Sequence, residues 1–273
     1  MSDRLEGTAP DGTAYEVIGR DGPVVALIHG LGLSRRVWDG MLPGLTGYRV
    51  VTYDLYGHGA SAPAPEKPTL TLFADQLAGL LRHLGHPRAH IVGFSIGGMI
   101  NRRFALDHRD MVQSLVILNS PHDRGEAGQK MVEDRARSVR DQGAFSTFDA
   151  ALKRWFTPEC RNAARAGDGY RPGSPPDLVR QWRAEADAES YAGAAWVLAH
   201  GVRELIRPDP PITAPTLVMT CVNDSGSTPD MSRAIASEIP GAELDIVPGL
   251  QHLGLMEAPA RFAGPIRDFL ERN

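Results

Sequence analysis

Short apolar runs with little alternation punctuate the chain at residues 24–28, 48–53, 89–92, 115–118 and 216–220, and a further short strand is read at 244–247. Such runs read as strands buried on both faces, the habit of a parallel sheet. Between them the period changes. Leu70, Phe73, Leu77, Leu80, Leu81 and Leu84 recur at helical spacing, and Gly85 follows as a C-cap. After Ser95, Ile96, Met99 and Ile100 share one helical face, and Asn101, Arg102 and Arg103 follow as polar residues. Strands alternating with helices predict an α/β protein whose central sheet is mostly parallel and flanked by helices.

The rhythm breaks after Leu118. Residues 121–212 offer no strong strand and only irregular helical patterns, and the glycine- and proline-rich stretch 167–176 reads as loop. Strand character resumes with Ala214-Pro215-Thr216-Leu217-Val218. The expected organisation is one core, residues 1–120 and 213–273, with a helical cap, 121–212, inserted late in the sheet.

Composition narrows the class. With 42% apolar and 23% charged residues, 273 residues suit a globular chain with a substantial core. A formal net charge of −4 and the absence of like-charge blocks argue against a nucleic-acid partner. Cys160 and Cys221 are too few for a disulfide framework. Met1-Ser2-Asp3-Arg4-Leu5-Glu6 has no apolar leader run, and no segment approaches 18 consecutive apolar residues, so the expectation is cytoplasmic with no membrane partner. Oligomeric state is left open. Gly30-Leu31-Gly32 lacks dinucleotide-loop spacing, and no His, Cys and carboxylate cluster has metal-ligand spacing, so no cofactor and no metal are expected.

Chemistry concentrates in Gly93-Phe94-Ser95-Ile96-Gly97, which has the form of a nucleophile elbow between a strand and a helix. A serine hydroxyl needs a histidine base, and the base needs an orienting acid. In doubly wound hydrolases these follow in the order Ser, Asp or Glu, His. Asp224 after the run 216–220 and His252 after 244–247 meet that order, each on a loop at a strand's C-terminal end. Asp123 is a rival acid that reads better as a loop residue, and Asp230, behind Pro229, reads as a helix start. Oxyanion donors are expected from the backbone N–H groups of Ile96 and of Leu31 in His29-Gly30-Leu31-Gly32. Asp54, His58 and His29 read as residues that hold their loops, and Cys221 as a small buried hydrophobe.

With His29-Gly30-Leu31-Gly32, Asp54-Leu55-Tyr56-Gly57-His58-Gly59-Ala60-Ser61, Gly93-Phe94-Ser95-Ile96-Gly97-Gly98, Asn223-Asp224 and His252, the chain resembles the α/β-hydrolase superfamily, in its serine-hydrolase branch, nearly end to end. The resemblance implies a Ser95/His252/Asp224 triad, a Leu31/Ile96 oxyanion hole and a helical cap. Arg154-Trp155-Phe156-Thr157-Pro158-Glu159 and Tyr191-Ala192-Gly193-Ala194-Ala195 are similar to 3-oxoadipate enol-lactonases and related carboxylesterases. Two departures stand out: Val197–Val202 lacks an aspartate, and Cys221 occupies a position where these relatives carry glycine. Serine at the elbow argues against halide displacement and epoxide opening, which use aspartate there.

The expected activity is hydrolysis of a carboxylic ester or lactone, a small-molecule substrate. Alternatives are a carbon–carbon bond hydrolase or cofactor-free oxygenase on the same fold, or a ligand receptor with slow turnover. Trp155, Trp196 and His122 are candidate substrate contacts, and Phe156 and Trp182 could join them in an apolar pocket. Residues 121–210 carry 14 Lys and Arg against 14 Asp and Glu, a neutral sum that gives no sign of an anionic substrate, although one well-placed arginine would suffice.

Overall fold

The computed structural model describes residues 4–273, so Met1–Asp3 of the opening stretch lie outside the described residues. Two strands not foreseen from the pattern come first, β1 (Arg4–Thr8) and β2 (Ala14–Ile18). The next elements are β3 (Val24–Ile28), β4 (Arg49–Tyr53), α1 (Leu70–His83), β5 (Ala89–Phe94), α2 (Ile96–Asp107) and β6 (Val112–Leu118). A helical insertion follows: α3 (Gly125–Gln142), α4 (Phe148–Trp155), α5 (Pro158–Ala164), α6 (Pro175–Glu185) and α7 (Ala188–His200). It also holds a two-residue ribbon, β7 (Arg165–Ala166) and β8 (Gly169–Tyr170). The core then resumes with β9 (Thr216–Cys221), α8 (Pro229–Glu238), β10 (Glu243–Val247), α9 (Gly254–Glu257) and α10 (Ala260–Leu270).

The eight-stranded sheet has the order β1-β2-β4-β3-β5-β6-β9-β10. The β1/β2 and β2/β4 pairs are antiparallel, and all others are parallel. Side chains alternate across it. Ala26, Ile28, Ile91, Leu115 and Ile117 face the layer of α1, α2 and α8. Val25, Leu27, Val92, Val116 and Met219 face α10 and the insertion residues Phe148, Leu152 and Trp182. Both faces are covered, and this is why the central strands read as unbroken apolar runs.

Three local expectations are corrected. β1 is largely exposed at the sheet edge, so no apolar run announces it; its Arg4 pairs at 2.9 Å with the buried Glu16 of β2. The stretch 167–176 is not all loop: Gly169–Tyr170 pairs with Arg165–Ala166, and Pro175 and Pro176 begin α6. Proline suits the first helical position, where the missing N–H has no intrahelical acceptor. Asn101 and Arg102, read from sequence only as polar residues after the apolar face, are buried. Asn101 donates to the Val116 carbonyl at 2.8 Å, while Arg102 donates to the carbonyls of Gly98 at 3.0 Å and Pro121 at 2.7 Å. The buried guanidinium therefore ties the start of the insertion to the helix behind Ser95.

Candidate active site

Ser95 sits between β5 and α2 with φ 59° and ψ −116°, a left-handed conformation that costs a non-glycine residue of order 1–3 kcal/mol. The surroundings enforce it. The Ser95 N–H donates to the Leu118 carbonyl at 2.8 Å, and the Gly98 N–H donates back to the Ser95 carbonyl at 3.0 Å. A Cβ on Gly93 would lie 2.1 Å from the Gly97 oxygen, and one on Gly97 would lie 2.3 Å from the Ile28 oxygen. The strand and helix cross at backbone contact, so neither position admits a side chain.

Ser95, His252 and Asp224 converge, each at least nine-tenths buried. His252 Nε2 is 3.1 Å from Ser95 Oγ, and Nδ1 is 2.6 Å from Asp224 Oδ2. The short contact to an acceptor-only carboxylate assigns the proton to Nδ1, leaving Nε2 to accept from the serine hydroxyl. Asp224 Oδ1 accepts from the N–H groups of Gly226 at 2.8 Å and Ser227 at 2.9 Å. Its Oδ2 also accepts from Asn119 Nδ2 at 2.9 Å. Burial alone would raise this carboxyl, but the charge and hydrogen bond of His252, with the hydrogen bonds from Asn119 and the Ser227 N–H, outweigh it and hold Asp224 below the ordinary carboxylate range. Asn119, at φ 45° directly after β6, was not anticipated; a lone Asn at a strand end carries no distinguishing sequence signal.

Two backbone N–H groups near Ser95 have no acceptor among the described residues. Ile96 is the first residue of α2, so its N–H has no intrahelical acceptor. Leu31 N–H donates to no acceptor among the described residues, and the Leu33 N–H closes the turn onto the Gly30 carbonyl at 3.2 Å. Gly32 has φ +70°, and a Cβ there would meet the Tyr191 ring at 2.8 Å and Arg183 Nε at 3.3 Å. His29 braces this loop: Nδ1 donates to the Gly30 carbonyl at 2.8 Å, and Nε2 accepts the Leu55 N–H at 2.9 Å, reaching beyond its own loop. Asp54 accepts from the Ala60 N–H at 3.1 Å and pairs with Arg35. Asp123 accepts from the Gly125 N–H at 2.9 Å, and Asp230 lies in the first turn of α8.

Residues of the insertion and Ser95 line one cavity. The Leu253 N–H donates to the Trp155 carbonyl at 2.8 Å, and Glu257 accepts from the Thr157 N–H at 2.9 Å, clamping the histidine loop to α4. Trp155 lines the cavity above Ser95, its ring centroid 6.1 Å from that of His252. Two other expected contacts lie elsewhere. Trp196 does not line the cavity: it packs against Val132, Ala136 and Ala199, stacked on His200 at 4.0 Å with the Arg140 guanidinium 5.9 Å from its ring. His122 is buried against Glu238 at 3.0 Å, away from the cavity. Phe156 and Trp182 are buried in the core layer that joins insertion to sheet. The cavity wall instead holds Arg124, Arg135, Arg154 and Arg183, none of them foreseen. Among the described residues, no group of three His, Cys, Asp or Glu could hold a metal ion, and no helix is long and apolar enough to cross a membrane. Cys221 is buried, which pushes its thiol up to about 12.

Residues 23–259 match the alpha/beta hydrolase fold family, and the chain belongs to that family of hydrolases. It is 26% identical to 3-oxoadipate enol-lactonase 2 of Acinetobacter baylyi, over 94% of this chain and 92% of that protein. It is 24% identical to (E)-2-((N-methylformamido)methylene)succinate hydrolase of the same organism, over 95% and 94% of the respective chains. Among solved structures, the enol-lactonase from Burkholderia xenovorans superposes with a TM-score of 0.84 at 24% identity, covering 98% of this chain and all of that one. A thermophilic esterase from Thermogutta terrifontis, solved with malate bound, gives 0.80 at 27% identity over 99% of both chains.

Proposed function

We propose that this hydrolase cleaves a carboxylic ester or lactone through an acyl-enzyme on Ser95. One observation carries the reading: the continuous hydrogen-bond chain from Ser95 Oγ through His252 to Asp224, closed by Asn119 and two backbone N–H groups. Ser95 Oγ attacks the carbonyl carbon as His252 Nε2 takes the hydroxyl proton, and Asp224 stabilises the imidazolium without accepting the proton. The tetrahedral oxyanion takes hydrogen bonds from Leu31 and Ile96 N–H, donors of a kind worth about 10²–10³ in rate. The imidazolium then protonates the leaving alkoxide oxygen. Water, deprotonated by the same nitrogen, attacks the acyl-serine and releases the carboxylate. Residues 121–212 act as a cap that shapes the acyl pocket.

The relatives named lactonase and esterase favour this reading over an oxygenase. Hydrolysis of p-nitrophenyl butyrate is the direct check. Multiple turnovers by the intact chain, and a loss of at least about 10⁴-fold in Ser95→Ala with an unchanged melting curve, are expected. Turnover retained in Ser95→Ala would sink the proposal, and a single equivalent of released nitrophenol would favour a slow receptor.

A further inference from the structure

The cavity above Ser95 gathers four guanidinium groups, Arg124, Arg135, Arg154 and Arg183, and among the described residues the only carboxylate on its wall is Asp224. Asp224 is already committed to His252 and Asn119. Elsewhere on the insertion, acids and bases pair normally: Arg137 with Glu133 and Asp134, Lys130 with Asp134, and Arg180 with Asp177. Among the described residues, no carboxylate stands within ion-pair distance of the four cavity arginines. What they do have is neutral. Arg124 donates to the Leu198 carbonyl at 2.9 Å, and Arg154 to the Ala150 carbonyl at 2.9 Å. Arg135 has no hydrogen-bond or ion-pair partner among the described residues.

Arg183 is the most telling. Its side chain is 2% exposed, and its Nε has no hydrogen-bond partner although it is buried. The guanidinium lies 5.0 Å from the Phe148 ring, 5.1 Å from Trp155 and 5.5 Å from Tyr191, so aromatic walls hold it in place without neutralising it. It sits beside Gly32, on the loop that carries the Leu31 N–H. Burial lowers the affinity of all four for their protons, and mutual repulsion adds to it: Arg135 acts on both Arg124 and Arg154, and Arg183 on Arg154. A cluster of like charges turned inward, with one buried N–H unpaired, is unfavourable in the free protein unless an anion completes it.

Resting on the hydrolase reading above, we infer that the substrate is an ester or lactone that carries two free carboxylates, held by this arginine cluster while the third carbonyl group faces Ser95. Hydrolysis then adds water across the acyl–oxygen bond and leaves an alcohol, or an enol, and a third carboxylate. One carboxylate spans the Arg183 side near Gly32, and the other the Arg135–Arg154 side. The apolar wall of Val132, Val139, Ala151 and Leu198 fits a short carbon skeleton between them.

The test uses product-like probes with a Ser95→Ala chain, so that binding is read apart from chemistry. Calorimetry with butyrate, glutarate and propane-1,2,3-tricarboxylate at low ionic strength should show affinity rising at least tenfold per added carboxylate, and falling with added salt. Arg135→Gln and Arg183→Gln should each weaken the tricarboxylate at least tenfold, and by a larger factor than they weaken butyrate. Equal binding of butyrate and the tricarboxylate overturns the inference, and that comparison on the Ser95→Ala chain alone decides if the arginine variants unfold. Strong tricarboxylate binding beside no p-nitrophenyl butyrate turnover keeps the anion site and removes the hydrolase reading. Turnover with no preference for added carboxylates does the reverse.

Discussion

At the residue scale, one serine among many stands in a strained turn within reach of a histidine and a buried carboxylate. Ser95 is held at φ 59°, His252 is fixed in one tautomer, and Asp224 is kept ionised by more donors than His252 alone. Asp224→Asn should cut kcat by about 10⁴ because the amide cannot enforce the same imidazole tautomer. Asn119→Ala is subtler: losing a hydrogen bond to a charged group, worth about 1.5–3 kcal/mol, should lower kcat roughly ten- to hundredfold. Steady-state kinetics on both variants checks the ranking, and an Asn119→Ala effect equal to that of Asp224→Asn would contradict it. Ser95, Asp224 and His252 were legible because their order and strand-end positions are chemical requirements. The cavity arginines were not, because a neutral sum over residues 121–210 hides which charges turn inward. Arg137 and Arg183 look alike in a sequence, yet one pairs with Glu133 at the surface and the other is buried among three aromatic rings.

At the element scale, β5, the elbow and α2 form one rigid unit. Gly97→Ala would drive a Cβ to 2.3 Å from the Ile28 oxygen, against the backbone of β3 rather than a movable side chain. Overpacking of this kind costs about 1–3 kcal/mol or more, and the displaced serine should cost activity beyond the loss of stability. Thermal denaturation with activity measured well below the midpoint separates the two effects; a variant with normal melting and normal kcat would contradict the account. The parallel strands could be read from sequence because burial on both faces leaves no polar alternation. β1 could not, since Arg4, Leu5, Glu6 and Thr8 are exposed at the edge. Helices α3 to α7 divide their inward faces between the core, one another and the cavity, so no single apolar rhythm runs through residues 121–212.

At the scale of the whole molecule, buried histidines set the acid limit. Burial, reinforced by His29 at 5.3 Å between ring centroids, lowers His58 from 6.5 to about 3, and burial lowers His90 to about 4. The unfolded chain takes up these protons near pH 6.5, whereas the folded chain resists until far lower. Stability is therefore full above about pH 7 and falls as pH drops below 6.5, with His58 alone contributing a slope of up to about 1.4 kcal/mol per pH unit. Asp224, held low, adds to the loss only below the ordinary carboxylate range of 3.8. Melting temperatures from pH 8 to 4.5 should be flat at first and then decline; a flat profile down to pH 5 would contradict the burial argument.

The insertion and the sheet meet at one serine, and its acylation is the claim on which the remaining chemistry depends. Intact-mass and peptide mass spectrometry after a fluorophosphonate probe tests it most directly. A single adduct on the Ser95 peptide, absent from Ser95→Ala and strongly slowed in His252→Ala, is the expected result. An adduct on another residue, or unchanged labelling in Ser95→Ala, would contradict it.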